Sequence, residues 1–358
     1  MTAAPWNRFA HLPCWAARAI LVGFAALLAA AVLIQPTAPS PAHSAPTPAM
    51  SASADPARDT DLQLYDSIAA RVRAGDDYYA AAVAEQRARN FPVRPGLAVR
   101  LPTLALLTAW LGQGGLAVLA GVLGLAVLAA WWRRLATEPA LKDHRPIAAL
   151  LLVIGAGLGL KAQYLVLHEV WAGLLLALAL ALHRPGKWGG AWIAVALALA
   201  VRELALPFAL LLGALALWRR DWREAAAWAA LVLVFVAGLA WHLSEVSRHW
   251  LPSDRPSPSW LALRGLAGWT GNIVSCSALH LLPGPIAAPL ALLPLIGWAA
   301  LRSGLGLATA LFHAGYGLAF MIAGRDNNFY WALLTVPTWF VGMALVPPAL
   351  SGLWRAAR

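Results

Sequence analysis

Long apolar runs, separated by short polar or basic segments, make up most of this 358-residue chain. Several runs are long enough to cross roughly 30 Å of hydrocarbon as helices, and others are nearly so. The pattern predicts an all-α, polytopic membrane protein with about ten transmembrane helices and both chain ends in the cytoplasm. The expected spans are residues 16–34, 114–132, 147–160, 170–182, 192–201, 204–217, 225–241, 281–301, 305–323 and 329–350.

The first apolar run predicts how the N-terminal part is organised. Arg8, His11 and Arg18 mark its beginning, which places the N-terminus in the cytoplasm and makes residues 1–35 a tail plus a first span. The length of the run favours an uncleaved anchor, although Ala-His-Ser-Ala at 42–45 also resembles a signal-peptide cleavage site. Residues 36–58 are rich in Pro, Ala and Ser and predict a flexible extracytoplasmic tether.

Residues 59–100 are polar enough to predict a folded first extracytoplasmic loop that contains amphipathic helices. The helix that follows Asp61 carries apolar residues at helical spacing. It either lies on the membrane surface with its apolar face down or packs within the loop, and the pattern leaves both open. Residues 101–358 are expected to form the transmembrane bundle, which begins with a short surface or re-entrant helix at 101–110.

Composition supports the membrane class and argues against a nucleic-acid partner. The chain is 61% hydrophobic and 12% charged, which an ordinary soluble domain does not tolerate. The formal net charge is +11, but the arginines fall mostly at the ends of apolar runs, where membrane topology places them. Cys14 and Cys276 are expected on opposite membrane sides and define neither a disulfide nor a metal site. We expect no metal and no cofactor.

Polar or charged residues interrupt the apolar pattern at six places that the topology assigns to one side of the membrane. Ionisable groups at a bilayer are costly and are usually kept for function. Six such places on one side indicate a reaction centre that faces away from the cytoplasm. They are residues 61–65, 76–79, 168–169, 202–203, 242–248 and 325–328.

The order of these motifs resembles that of a known group of enzymes. An acidic residue is followed four positions later by a tyrosine, then by a helix that ends in Gly-Asp and by a basic, proline-containing stretch. An acidic residue opens the fourth span, a basic residue separates two apolar helices, and a polar loop precedes the last span. The matching residues are Asp61, Tyr65, Gly75-Asp76, Arg94-Pro95, Arg100-Leu101-Pro102, Glu169, Arg202 and residues 324–331.

With these motifs the chain resembles the bacterial lipid-linked-sugar glycosyltransferases of the GT-C superfamily. The commonest version of the first motif has Glu directly after the Asp, where this chain has Leu62. That departure sets the chain apart from the subfamilies that add aminosugars to lipid A or mannose to proteins.

The resemblance implies a GT-C-like fold and a transfer reaction at the bacterial inner membrane. A sugar would move from a polyprenyl-phosphate donor to an acceptor hydroxyl on the periplasmic side, with inversion. The acceptor would be a glycolipid, a polysaccharide or a protein. In this interpretation Asp61 is the catalytic base and Glu169 assists it, Arg202 and Arg325 bind the donor phosphate, and the substrate-binding residues are Tyr65, Asp76, His168, Asp326 and Asn327.

Purely structural roles remain open for several of these residues. Thr60 and Gln63 can form a capping box that leaves Asp61 in the first turn, where its charge complements the helix dipole. Arg202 can form an internal salt bridge with an acid from another loop. His168 with Glu169 can be a pair at a helix end, and we interpret His242, Glu245 and Arg248 as loop structure.

Two other functions remain open for the protein as a whole. A lipid or sugar transporter or flippase would place ionisable groups near the bilayer midplane and would show internal repeats, and the sequence shows none. A non-catalytic assembly protein of the envelope would use residues 60–100 as a docking surface. Only the enzyme requires that Asp61, Glu169, Arg202 and Arg325 line one cavity.

Overall fold

The structure is a computed structural model that describes residues 6–34 and 60–358. The predicted tether lies outside the described residues. Helices are the regular elements throughout the described part, as expected for an all-α protein. The α-helices are α1 (Cys14–Leu33), α2 (Thr60–Arg73), α3 (Tyr78–Ala88), α4 (Thr103–Thr137), α5 (Arg145–Gly157), α6 (His168–Leu182), α7 (Gly189–Val201), α8 (Leu206–Trp218), α9 (Trp222–Arg248), α10 (Gly265–Ser275), α11 (Gly284–Ala300), α12 (Gly304–Ile322), α13 (Val336–Trp339) and α14 (Val346–Ala356).

Five helical segments are long and apolar enough to cross a membrane: Cys14–Leu33, Gly96–Thr137, Trp222–Arg248, Gly304–Ile322 and Val336–Ala356. Large apolar side chains on α4 and α9 are exposed, as a lipid-facing surface requires. Five further apolar helices have only 10–17 residues. The membrane character agrees with the sequence pattern, while the count of ten spans stays a prediction.

Helix α4 includes the segment that was expected to form a separate short helix. Its backbone breaks at Gly112, where φ is +66° and ψ is 177°. Arg73 at the end of α2 donates from Nε to the carbonyl of Ala109 at 2.8 Å and from Nη2 to that of Thr108 at 3.5 Å. The break frees these carbonyls from the helix, so the side chain of Arg73 both satisfies them and ties α2 to α4.

Helices α2 and α3 form a layer over one end of the bundle. Leu64 and Ile68 of α2 are 3% and 5% exposed and pack with Tyr78 and Val83 of α3. The apolar face of α2 is therefore covered by protein, which corrects the membrane-surface interpretation and agrees with the packed-helix alternative. As expected, α2 carries Asp61 in its first turn.

Two segments between the expected spans 225–241 and 281–301 are helical, although no helix was expected there. Helix α9 continues to Arg248, and Nε2 of His242 donates a 3.1 Å hydrogen bond to the carbonyl of Val99, so this part of α9 supports the layer. Helix α10 is buried, and the ring of Trp269 lies so close to Gly317 of α12 that a Cβ there would fall 2.0 Å from it. Both helices make contacts with distant residues that the local polarity of their sequences does not reveal.

The last expected span is an interrupted chain of short helices. The 3₁₀ segments Asp326–Leu334 and Phe340–Leu345 alternate with α13 and α14. Backbone carbonyls of this chain press against glycines of neighbouring helices. A Cβ on Gly173 of α6 would lie 2.0 Å from the Leu333 oxygen, and one on Gly297 of α11 would lie 2.0 Å from that of Gly342. These glycines provide the space through which the interrupted chain passes.

We predict that Gly173→Ala lowers the free energy of unfolding by about 1–3 kcal/mol, since the new methyl group must displace the backbone at Leu333. Gly238→Ala in α9 is the matched control, because a Cβ there meets no atom within 4 Å. The control should be neutral or stabilising by up to about 1 kcal/mol through helix propensity. Denaturation of the purified protein in mixed micelles measures both, and equal tolerance of the two alanines would contradict the packing described.

Candidate functional site

Two helix ends meet through a buried group of charges. Glu169 lies in the first turn of α6, where the helix dipole favours a carboxylate. Arg202 follows the last residue of α7 with extended backbone (φ −149°, ψ 118°). Its Nε lies 2.7 Å from Oε1 of Glu169, and its Nη1 contacts the carboxylate of Glu203. Because the Nε–H does not point along the line to Oε1, the contact with Glu169 is an ion pair without the alignment of a hydrogen bond.

This arrangement changes the role expected of Arg202. The residue is 0% exposed and Glu169 is 1% exposed, and the guanidinium group is held by two carboxylates. The structure thus contains the internal salt bridge that was the alternative to phosphate binding. In an α-helix, the side chains of adjacent residues such as Arg202 and Glu203 would point in different directions. Glu203 contacts Arg202 because the chain leaves the α-helix at this point and continues as the 3₁₀ turn Glu203–Ala205.

Helix α2 lies directly over the beginning of α6. The rings of Tyr65 and His168 meet edge to face with their centroids 5.3 Å apart. Arg100, just before α4, donates from Nε to the Tyr65 hydroxyl at 3.2 Å, and the Tyr78 hydroxyl donates to the Arg100 carbonyl at 2.5 Å. Tyr65 therefore contacts both His168 and Arg100, and Arg100 also links Tyr65 to Tyr78. The sequence analysis quoted Arg100 within a motif but gave it no chemical role.

The charge of Asp61 acts on Tyr65. Burial raises the pKa of Tyr65, the Arg100 charge opposes that rise, and the charges of Asp61 and Glu169 add to it. Asp61 precedes Tyr65 by four residues, so both side chains lie on one face of α2. The charges of Asp61 and Glu169, the two carboxylates that the sequence named as catalytic, are therefore both felt at the Tyr65 hydroxyl.

Tyr330 is buried within the C-terminal 3₁₀ segment Asp326–Leu334. That segment packs against α6, the helix that begins with His168 and Glu169. The Tyr330 hydroxyl accepts a 3.3 Å hydrogen bond from Nδ2 of Asn328, which also fixes the loop by accepting from the Arg325 backbone N–H. Tyr330 stood within the quoted C-terminal motif, but nothing in its sequence neighbourhood distinguished it from Phe329.

The expected substrate contacts of the last loop lie beside this group rather than in it. Asp326 forms an ion pair with Arg264 at 3.1 Å, and Arg264 also donates to Asn272 at 3.0 Å. Asn327 is exposed. Arg325 is half-buried, and its Nε is enclosed without a hydrogen-bond acceptor in the described part of the chain. No contact within residues 6–34 and 60–358 joins Arg325 to the Glu169–Arg202 pair.

Asp76 lies away from the group. It forms an exposed ion pair with Arg71 at 2.6 Å beyond the C-terminal end of α2. The axis from Asp61 to Arg73 is roughly 18 Å long, so Asp76 and Asp61 stand at opposite ends of the helix. The expectation that Asp76 contacts the same substrate is not supported by this placement.

A small cavity opens below α2 and α3, between Tyr65, Tyr78, Arg100 and His168. Its volume of about 20 Å³ holds roughly one water molecule. Both ring nitrogens of His168 are buried and make no well-aligned hydrogen bond among the described residues. The cavity therefore has polar walls but, in this arrangement, no space for a sugar ring.

The opposite end of the bundle has its own buried charges. Glu224 is 0% exposed and accepts from Arg219 at 2.8 Å and from Trp228 at 3.2 Å, while His183 lies 2.7 Å from it. Arg219 was expected to act only as a topology signal and instead forms part of this network. Among the described residues, no group of three or more His, Cys, Asp or Glu is placed to hold a metal ion, and Cys14 and Cys276 are free thiols.

Comparison with known proteins does not decide the family. No family model, curated protein or solved structure matches the chain. The likeness to GT-C glycosyltransferases therefore remains a prediction that rests on the order of the motifs.

We predict that Arg202→Met destabilises the protein by about 3–5 kcal/mol, because it removes the cation that contacts both the buried carboxylate of Glu169 and that of Glu203. Adding Glu169→Gln and Glu203→Gln should restore most of the loss. Arg248→Met is the control, since it breaks only the exposed pair with Glu245 and should cost about 1 kcal/mol or less. Denaturation in mixed micelles measures all three, and unchanged stability of Arg202→Met would contradict a structural ion pair.

Proposed function

We propose that this chain is an integral membrane glycosyltransferase of the bacterial inner membrane. It would move a sugar from a polyprenyl-phosphate donor to an acceptor hydroxyl on the periplasmic side, with inversion. The proposal is supported by a group at one end of an apolar helical bundle, in which Arg100 donates to the Tyr65 hydroxyl and the ring of Tyr65 packs on His168, the neighbour of Glu169. Asp61 lies one turn before Tyr65 on α2. Carboxylates beside a guanidinium group are the elements that such a transfer needs.

Asp61 is assigned as the base that removes the acceptor proton. It is half-buried at the beginning of α2, and its first-turn position orients it. Glu169 is less suited to be the base, because its carboxylate already neutralises Arg202. Its assigned part is to hold Arg202 and, through the beginning of α6, the ring of His168.

The cation for the leaving phosphate has to come from residues other than Arg202. The Arg202 guanidinium group is already held by the carboxylates of Glu169 and Glu203. A phosphate brings further negative charge beside these carboxylates, so it needs guanidinium groups of its own. We assign that part to Arg325, with Arg100 as the second guanidinium group, because the planar fork of Arg suits phosphate oxygens.

A lipid-linked donor also needs an apolar slot beside the charges. A cavity of about 310 Å³ begins at Leu204, two residues after Arg202, and is lined almost wholly by apolar side chains. A transporter is less well supported, since the buried charges at Glu169 and Arg202 stand at helix ends and neutralise each other.

We expect Asp61→Asn to reduce sugar transfer by about 10²–10⁴-fold, because the amide keeps the size of the side chain but cannot accept the acceptor proton. Asp66→Asn is the matched control on the same helix. Asp66 accepts from Gln113 at 3.2 Å, and an asparagine oxygen can replace that bond. Mass spectrometry of envelope glycans in a deletion strain, complemented with each variant, reports the activity. Full activity of Asp61→Asn at normal expression would show that Asp61 is not the base.

A further inference from the structure

Three arginines lie around the C-terminal end of α4. Arg133 is an exposed residue near the end of this helix, Arg145 is the first residue of α5, and Arg184 stands in the turn between α6 and α7. Within residues 6–34 and 60–358, none of the three forms an ion pair. The described part of the chain therefore leaves three positive charges uncompensated at this end of the bundle.

Two of these arginines are held in place by contacts with α4. The guanidinium group of Arg145 lies over the ring of Trp132, 3.9 Å from its centroid. Arg184 donates from Nη2 to the Thr137 hydroxyl at 3.3 Å. Because an α-helix has about 3.6 residues per turn, Trp132 and Thr137 lie to opposite sides of Arg133 around the helix. Arg145 and Arg184 therefore flank Arg133, one from each of two helices that pack against α4.

The acidic residues of the neighbouring segments do not cancel this charge. Glu138 and Glu224 are buried, and each forms an ion pair with an arginine outside the group of three. Asp143 directly follows Lys142 in the loop before α5, so these two charges offset each other. An anion at Arg133 would therefore meet a positive field.

Exposed apolar side chains continue from the three arginines toward the middle of α4. Val118, Val122 and Leu125 are exposed, and their helical spacing from Arg133 places them on its side of the helix, toward Trp132 and α5. The adjoining face of α5 exposes apolar side chains as well, beginning with Ile147. An apolar stripe with three cations at one end fits a lipid that has an anionic headgroup.

We propose that the end of α4 binds an anionic phospholipid. The phosphate lies at Arg133, between the guanidinium groups of Arg145 and Arg184, and the acyl chains follow the exposed side chains of Val122 and Leu125. Three guanidinium groups carry more positive charge than one phosphodiester neutralises. A lipid with two phosphodiester groups, such as cardiolipin, therefore binds more tightly than phosphatidylglycerol, which has one.

Membrane topology accounts for the presence of arginines at this end but not for their arrangement. Basic residues at the ends of spans orient a membrane protein without sharing a ligand. Arg302 is such a residue: it is exposed after α11, and the topology assigns it to the same side as Arg133. It is the matched control for the loss of one charge. The lipid site lies at the opposite end of α6 from His168, so it does not depend on the proposed sugar transfer.

Native mass spectrometry of the delipidated full-length protein in detergent, titrated with single lipids, tests the site. Cardiolipin should bind at least about tenfold more tightly than phosphatidylcholine, with phosphatidylglycerol between them. Arg133→Gln should weaken cardiolipin binding about fivefold, and the further change Arg184→Gln should bring the loss to at least about tenfold. Arg302→Gln should bind as the wild type does. Equal affinity for the three lipids, or wild-type affinity in the double variant, would overturn the proposal.

Competition with a soluble headgroup tests the part played by the acyl chains. Glycerol 3-phosphate offers a phosphate to the arginines but cannot contact the apolar stripe at Val122 and Leu125. Even in large excess it should leave cardiolipin bound to the wild-type protein. Full displacement by glycerol 3-phosphate would overturn the lipid site and leave a site for a free phosphate instead.

Discussion

A buried ion pair between Glu169 and Arg202 holds the beginning of α6 against the end of α7. Both residues are almost completely buried in apolar surroundings, where either charge alone would be strongly destabilising. The pair can close only if the beginning of α6 and the end of α7 lie at the same level. It therefore fixes the positions of α6 and α7 along their axes, because apolar surfaces alone would allow the two helices to slide past each other.

That constraint also determines what lies above the pair. His168, the neighbour of Glu169, offers its ring to Tyr65, and Arg100 binds the hydroxyl of the same tyrosine. Helix α2, which carries Asp61 in its first turn, is thereby held over the bundle. Arg202 was expected to bind substrate, but in the structure it positions α6 and α7. Arg100 is the guanidinium group that lies beside Tyr65 and Tyr78.

The sequence pattern predicted the features that depend on local order. Apolar length predicted the helices, and polar interruptions predicted that Tyr65, His168 and Arg202 lie at one end of the bundle. It missed features that depend on distant partners, because no spacing rule links Arg202 to Glu169 or Arg73 to the carbonyls freed at Gly112. Helix α10 was missed for a similar reason, since its burial comes from glycine contacts with α12 rather than from a long apolar run.

All residues of this group should lie at one face of the membrane. Cysteine labelling in intact cells tests it directly, in a variant where Cys14 and Cys276 are replaced by Ala. Cysteines at the exposed positions Ala70 and Asn327 should react with a membrane-impermeant maleimide, and one at exposed Lys187 should react only after permeabilisation. Labelling of Ala70→Cys and Asn327→Cys from opposite sides would contradict the account.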